Sequence, residues 1–202
     1  MAVPPTRPAL RERYDRKQRT VLATAAQLFA QRGYQRTSVG DLTEATGLAA
    51  GGLYHYIGSK EQLLIRICDE LMDPLLEQAE AIVATDEPPE VQLRALVRAW
   101  VAHVEQHRHH MLVFQQERHT IEREPQWRLV RGKRKAFERL LEQLLERGEQ
   151  AGTLRFADRQ LALLGLLAMV NYTPQWYRPG GRLSAQQVAD GYCDLLLDGH
   201  RA

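Results

Sequence analysis

The chain has 202 residues, 44% hydrophobic and 26% charged, with a formal net charge of +2. That composition excludes low-complexity and disulfide-scaffold architectures. The charge is uneven: residues 1–60 carry nine Lys and Arg against four Asp and Glu, whereas the rest carry eighteen against twenty-one. A basic front on a mildly acidic body fits a phosphate-contacting module joined to a regulatory domain.

Cys68 and Cys193 are far apart and in no C-x-x-C pair, the pattern of a reducing compartment without a disulfide framework. The N-terminus lacks an apolar h-region, so no signal peptide is expected. The uncharged run 160–177 has only about ten apolar residues before Asn171, too few to span a bilayer. A cytoplasmic location without a membrane partner follows. No Gly-rich phosphate loop, nucleophile elbow or paired-carboxylate motif is present, so the chain is not expected to be an enzyme, and no cofactor is expected.

In chain order, residues 1–13 are rich in proline and arginine and predict a flexible arm. It ends in a basic cluster of Arg7, Arg11, Arg13, Arg16, Lys17 and Arg19. Standing directly before a nucleic-acid-reading segment, that cluster points to phosphate or minor-groove contact. From Tyr14 to Arg32 the residues Val21, Ala25, Leu28 and Phe29 recur at helical spacing, and Gly33 ends that helix.

Residues 37–64, TSVGDLTEATGLAAGGLYHYIGSKEQLL, carry the most information. Ser38 and Asp41 form an S-x-x-D capping box, and Gly47 offers the left-handed conformation that ends the helix they open. A second short helix is expected from Ala50 to Tyr56, ended by Gly58, and Ser59 with Gln62 opens a third. Two short helices joined by a glycine turn are the helix-turn-helix pattern, whose second helix can enter a DNA major groove.

The run from Thr37 to Leu64, with the preceding AAQLFAQRGYQRTS, resembles the DNA-binding domain of the tetracycline-repressor (TetR) family. The matching residues include Ala25, Phe29, Gly33, Tyr34, Thr37, Asp41, Ala45, Gly47, Gly51, Leu53, Tyr54, Tyr56, Ser59, Lys60, Glu61 and Leu63. The resemblance implies double-stranded operator DNA as partner and supports Tyr54 and His55 as DNA contacts. Lys60 lies in a first helical turn, where dipole and ammonium both favour a phosphate. Thr37 and Ser38 offer hydroxyls or N–H groups to the backbone, and Tyr56 reads as core. Where family members often read bases, Leu48-Ala49-Ala50-Gly51-Gly52 has no side-chain donor. Base approach would then rest on Ala50 meeting a thymine methyl, on the Gly51 and Gly52 backbone, and on DNA shape.

A long helix is expected from Ser59 to about Thr85 despite Pro74, then a break at DEPPE (86–90) and an amphipathic helix over 90–107. His103 and His107 stand at i, i+4. No third ligand motif accompanies them, so exposed or hydrogen-bonded histidines are expected rather than metal ligands. A helix over 125–150 carries a basic first half, a solvated face or, alternatively, an anion site for ligand phosphates. Gly148 and Gly152 are expected to end it. The segment 158–177 is apolar nearly all round its first half, so burial on several sides is predicted. With the last helix (Ser184 to about Asp198: Val188, Tyr192, Leu195, Leu196) it suits a four-helix interface between two copies.

The expected fold is all-α: an N-terminal three-helix helix-turn-helix domain (residues 1–62, arm included) and a C-terminal antiparallel helical ligand-binding and dimerisation domain (63–202). The segment NYTPQWYRPGGRLS resembles the equivalent one in family members that sense acyl-coenzyme A thioesters. A homodimeric repressor released from a palindromic operator by a small-molecule effector is thereby implied, the acyl-coenzyme A class ahead of a smaller aromatic or hydrophobic compound, with a non-DNA interaction module as the remaining alternative. The expected pocket is Trp100, Met111, Phe114, Phe137, Met169, Tyr172, Trp176 and Tyr177, with phosphates near Arg131, Arg134 and Arg178.

Overall fold

Pro8 opens the first helix, α1 (Pro8–Arg32), at a position where the absent N–H would have had no intrahelical acceptor. The computed structural model describes residues 7–197. The first six residues of the expected arm and the expected end of the last helix at Asp198 lie outside the described residues. The arm is corrected from Pro8 onward: it is helical, with Arg11–Asp15 and Arg16–Glu12 pairs one turn apart. Tyr14, Val21, Ala25, Leu28 and Phe29 form its buried face.

Two short helices follow, α2 (Val39–Thr46) and α3 (Ala50–Ile57). The capping box forms in full: Asp41 N–H donates to Ser38 Oγ at 3.1 Å, and the Ser38 backbone N–H donates to Asp41 Oδ2 at 2.7 Å. Gly47, at φ 66°, adopts the left-handed turn that separates α2 from α3. The next helix, α4 (Lys60–Val83), begins at Ser59, whose Oγ accepts from Gln62 N–H at 3.0 Å, and runs through Pro74.

The body consists of α5 (Pro89–Gln106), α6 (Arg108–Gln116), α7 (Arg118–Arg123), α8 (Arg128–Gln150), α9 (Arg159–Trp176) and α10 (Ala185–Leu197). The break expected at 86–90 falls two residues earlier, at 84–88, because α4 ends at Val83 and Pro89 opens α5. The helix expected from Pro125 starts as a 3-10 turn (Pro125–Trp127) before α8. Gly148 does not end α8: it is a buried helical residue against Leu154, and Gly152, at φ 72°, makes the turn after the helix.

One continuous core joins the two parts. It runs from Phe29, Leu42, Leu53 and Leu64 through Ile67 and Leu71 to Leu96, Trp100, Phe137, Leu141 and Val170. The N-terminal helices meet the body where α6 packs on α1 and α4. Val188 and Cys193 of α10 are buried against their own chain, and the Tyr192 hydroxyl pairs with Thr173 Oγ1 at 2.9 Å. The expected interface is corrected accordingly: Val188 and Tyr192 serve the chain's own core, whereas Leu195 is 70% exposed. On α9, Leu161 and Leu164 are 68% and 52% exposed, so one chain alone does not bury the apolar first half of that helix. Among the described residues, no helix is long and apolar enough to cross a membrane.

Candidate nucleic-acid interface

Helix α3 is held from below and behind. Leu53 and Ile57 are fully buried. The carbonyls of its last turn are taken by three side chains from neighbouring helices: the Tyr14 hydroxyl donates to His55 O (3.4 Å), and Gln18 Nε2 (3.0 Å) and Arg66 Nη1 (3.2 Å) both donate to Tyr56 O. Such donors replace the acceptor-side partners that a helix end lacks. Its N-terminal end has no comparable support. Ala49 gives no side-chain cap, and a methyl built on Gly51 or Gly52 meets nothing within 4 Å. The reading helix is therefore pinned at its C-terminus and unsupported at its N-terminus.

Its outward face presents Tyr54, 43% exposed, and His55, with Ala50 and Gly51 exposed and Gly52 half-buried. The His55 ring stands edge-on to Tyr14 and Tyr56 at 5.6 and 5.3 Å, which fixes its orientation. Tyr56 is partly buried against the core, as expected. The sequence reading missed Tyr14, Gln18 and Arg66. Tyr14 was accessible to it, standing seven residues before Val21 on the buried face of α1.

Two expected contacts are corrected. Thr37 is buried, with its hydroxyl donating to Gly33 O at 2.8 Å. The Ser38 hydroxyl donates to Asp41 Oδ2 at 2.6 Å and its N–H goes to the same oxygen. Neither hydroxyl has a proton left for a phosphate; both shape the turn that aims α2. Hydrogen bonds from Ser38 are the main reason the Asp41 carboxyl is held below its ordinary range, with Arg32 adding to them at 2.9 Å. Lys60 does stand in the first turn of α4, with its ammonium 4.3 Å from the centre of the Tyr34 ring. Burial lowers its pKa, while the charges of Glu117 and Asp41 raise it. Arg13 and Arg19 on α1 are exposed, and like Lys17 they have no carboxylate partner among the described residues.

The residues expected to bind an effector do not share one cavity. Trp100, Met111, Phe114, Phe137 and Tyr177 are buried, with Trp100 and Phe137 packed edge to face at 4.8 Å. Met169 is partly buried, whereas Tyr172 and Trp176 are 64% and 46% exposed. Leu75, Ile82, Leu96 and Phe137 flank a shallow surface dent that encloses no room even for a water molecule. The phosphate ligands expected on α8 are corrected as well. Arg131 Nη1 donates to the carbonyls of Ile121 and Glu124 at 2.8 and 2.7 Å, and Arg134 pairs with Glu122 (2.7 Å) and Glu138. Lys133 bridges Asp69 and Asp73 of α4 at 2.7 and 2.6 Å. Arg131, Lys133 and Arg134 are thus occupied by carboxylates and carbonyls of the same chain, whereas Arg128, Lys135 and Arg139 are exposed. Arg178 donates only one of its groups, Nη1, to the carbonyls of Gln175 and Tyr177.

Of the histidines on α5 and α6, His103 and His110 are buried. His103 Nε2 lies 2.8 Å from Leu71 O and must donate to it, and His110 Nε2 lies 3.3 Å from Glu70. Burial, reinforced by His107, pushes His103 down to about 4. Among the described residues, no group of three or more His, Cys, Asp or Glu is placed to hold a metal.

Two family profiles match. "Bacterial regulatory proteins, tetR family" covers residues 21–67, and "Tetracyclin repressor-like, C-terminal domain" covers residues 86–200. The chain belongs to the TetR family. It is 32% identical to the HTH-type transcriptional repressor KstR2 of Rhodococcus jostii over 181 residues, 89% of this chain and 88% of that one. The solved structure of the TetR-family regulator PfmR from Thermus thermophilus is 34% identical, with a TM-score of 0.79 over 89% of this chain and 98% of that one. AibR, solved with isovaleryl coenzyme A and operator DNA, is 31% identical, with a TM-score of 0.78 over 90% and 98%. The chain is accordingly a TetR-type transcriptional repressor rather than an enzyme, of a family whose members bind operator DNA and small-molecule effectors.

Proposed function

We propose that the chain works as a homodimer, released from a palindromic operator when an acyl-coenzyme A thioester binds the body. Residues 1–62 form the reading head and 63–202 the effector and dimer domain. Tyr54, His55 and Lys60 grip phosphates, and Ala50, Gly51 and Gly52 approach the bases. The likeness to AibR, which was solved with both isovaleryl coenzyme A and operator DNA, carries the effector class. The exposed Leu161, Leu164 and Leu195 support the dimer, since apolar surface of this kind is costly in water and is covered when α9 and α10 meet their copies. A dimer also sets two reading heads roughly 34–36 Å apart, the separation of successive major grooves.

The test is a mass measurement under native conditions of the purified protein, followed by titration of operator-bound dimer with isovaleryl coenzyme A and with its free acid. Release by the thioester alone supports this reading. Release by neither compound, from a chain that behaves as a monomer, would sink the proposal.

A further inference from the structure

The last four carbonyls of a helix have no partner within it. In α3 they belong to Tyr54, His55, Tyr56 and Ile57. The backbone closes two of them: Gly58 N–H donates to Tyr54 O at 2.8 Å, and Ser59 N–H donates to Ile57 O at 3.0 Å. The other two receive side chains from α1 and α4. Tyr14 takes His55 O, while Gln18 and Arg66 converge on Tyr56 O at 3.0 and 3.2 Å. Gln18 stands one turn after Tyr14 on α1, and Arg66 comes from the second turn of α4. One carbonyl oxygen therefore ties the reading helix to both neighbouring helices. The Arg66 guanidinium also meets the negative end of the α3 dipole.

The opposite end of α3 has no side-chain cap, so the direction of the helix is set at this joint. Ala50 lies six residues before Tyr56, about 9 Å along the axis. A tilt of about 10° around Tyr56 O carries Ala50 sideways by roughly 1.5 Å. Contacts to base edges are short-ranged and do not survive a shift of that size. Attraction to phosphates is electrostatic and tolerates it.

We propose that Gln18 and Arg66 are positioning residues: they set the angle of the reading helix, and through it the preference for operator over unrelated duplex, without touching DNA themselves. This rests on the assignment of Ala50, Gly51 and Gly52 to the bases. Fluorescence anisotropy on the full chain tests it over a range of salt. The probes are a duplex that the wild type selects from a random-sequence pool and a scrambled duplex of equal length and composition. Gln18→Met removes a neutral donor and keeps the stem, and Arg66→Met removes a charged one. Each should lower the ratio of selected to scrambled affinity by roughly fivefold. Either donor alone still serves the oxygen, so the double variant should lose more than the product of the two, over roughly twenty-fivefold. Arg66→Lys should recover part of the ratio, and the salt slope of Arg66→Met should equal that of the wild type. Melting curves establish that each variant is folded, and an unfolded Arg66→Met leaves the decision to Gln18→Met.

A slope shallower by about 1 in Arg66→Met marks a phosphate contact and overturns the proposal. A loss shared equally by the selected and scrambled duplexes overturns it as well. A wild type that selects nothing from the pool removes the reading-head assignment, and this proposal with it. A clear wild-type preference that both methionine variants keep overturns the positioning role alone.

Discussion

The unsupported start of α3 makes a sharp test of how this head reads DNA. Gly51 and Gly52 sit in its first turn, with ordinary helical backbone and no neighbour within 4 Å of a built methyl. Alanine at both should therefore add helix stability without strain, up to about 1 kcal/mol each. A total of about 2 kcal/mol corresponds to roughly thirtyfold greater amide protection against local opening. The amides to follow are those of Leu53 to Tyr56, the first of which bonds back to Ala49 O at 2.9 Å. Operator affinity, measured by fluorescence anisotropy on the same Gly51→Ala, Gly52→Ala protein, then decides between two accounts. If the bare backbone meets the base pairs, the methyl groups hold it away and affinity falls although the helix is better formed. If affinity instead rises in step with protection, ordering of α3 was the obstacle and the glycines are not the contact surface.

Replacing Tyr54 and His55 together by alanine should abolish operator binding and leave the dimer mass unchanged by light scattering; a footprint retained on the same site would refute the contact assignment. Gly148→Ala should lower stability by about 1–3 kcal/mol in denaturant titration, because a methyl there lies 2.3 Å from Leu154 Cδ1, and an unmoved midpoint would count against that packing. His103, held down to about 4 against an ordinary value of 6.5, stays neutral in the fold and takes up a proton on unfolding. Its contribution is therefore intact above about pH 6.5 and is lost as pH falls toward 4, with a slope of up to about 1.4 kcal/mol per pH unit. The companion histidines His107 and His109 are depressed in the same direction, so the measurement is the difference in slope between wild type and His103→Gln, and equal slopes would refute the assignment.

What the sequence made legible was local. The Ser38–Asp41 box, the left-handed turn at Gly47 and the apolar spacing of α1 all depend on neighbours within a turn or two, and each stands where it was expected. What escaped was the pairing of residues far apart in the chain. The three donors on the last turn of α3 come from α1 and α4, and Lys133 meets Asp69 and Asp73 across 64 and 60 positions. A basic run read alone resembles a solvated face or an anion site, and only knowledge that α4 packs on α8 shows which charges are neutralised. Thr37 failed for a related reason. Its hydroxyl was within reach of a carbonyl four residues back, and this local bond outcompetes a partner in solution.

The contacts between body and head run largely through α6. Helix α6 has Arg108 at one end and Gln116 at the other, about 13 Å apart for nine helical residues. Gln116 Nε2 donates to Ala30 O of α1 at 3.2 Å. The next residue, Glu117, is raised by burial and held down by the Thr120 hydroxyl, the Tyr34 backbone N–H and the charge of Lys60. A second tie runs from Gln126 to Glu61 at 2.7 Å. One short helix thus joins the body to the turn and the lysine beside the reading helix. If an effector displaces α6 along its axis, its far end must move against Ala30 and Tyr34, which it bonds. The size of that effect is bounded by thermodynamics rather than by affinity: a ligand that bound equally well to both positions of α6 would leave the hold on DNA unchanged, however tightly it bound.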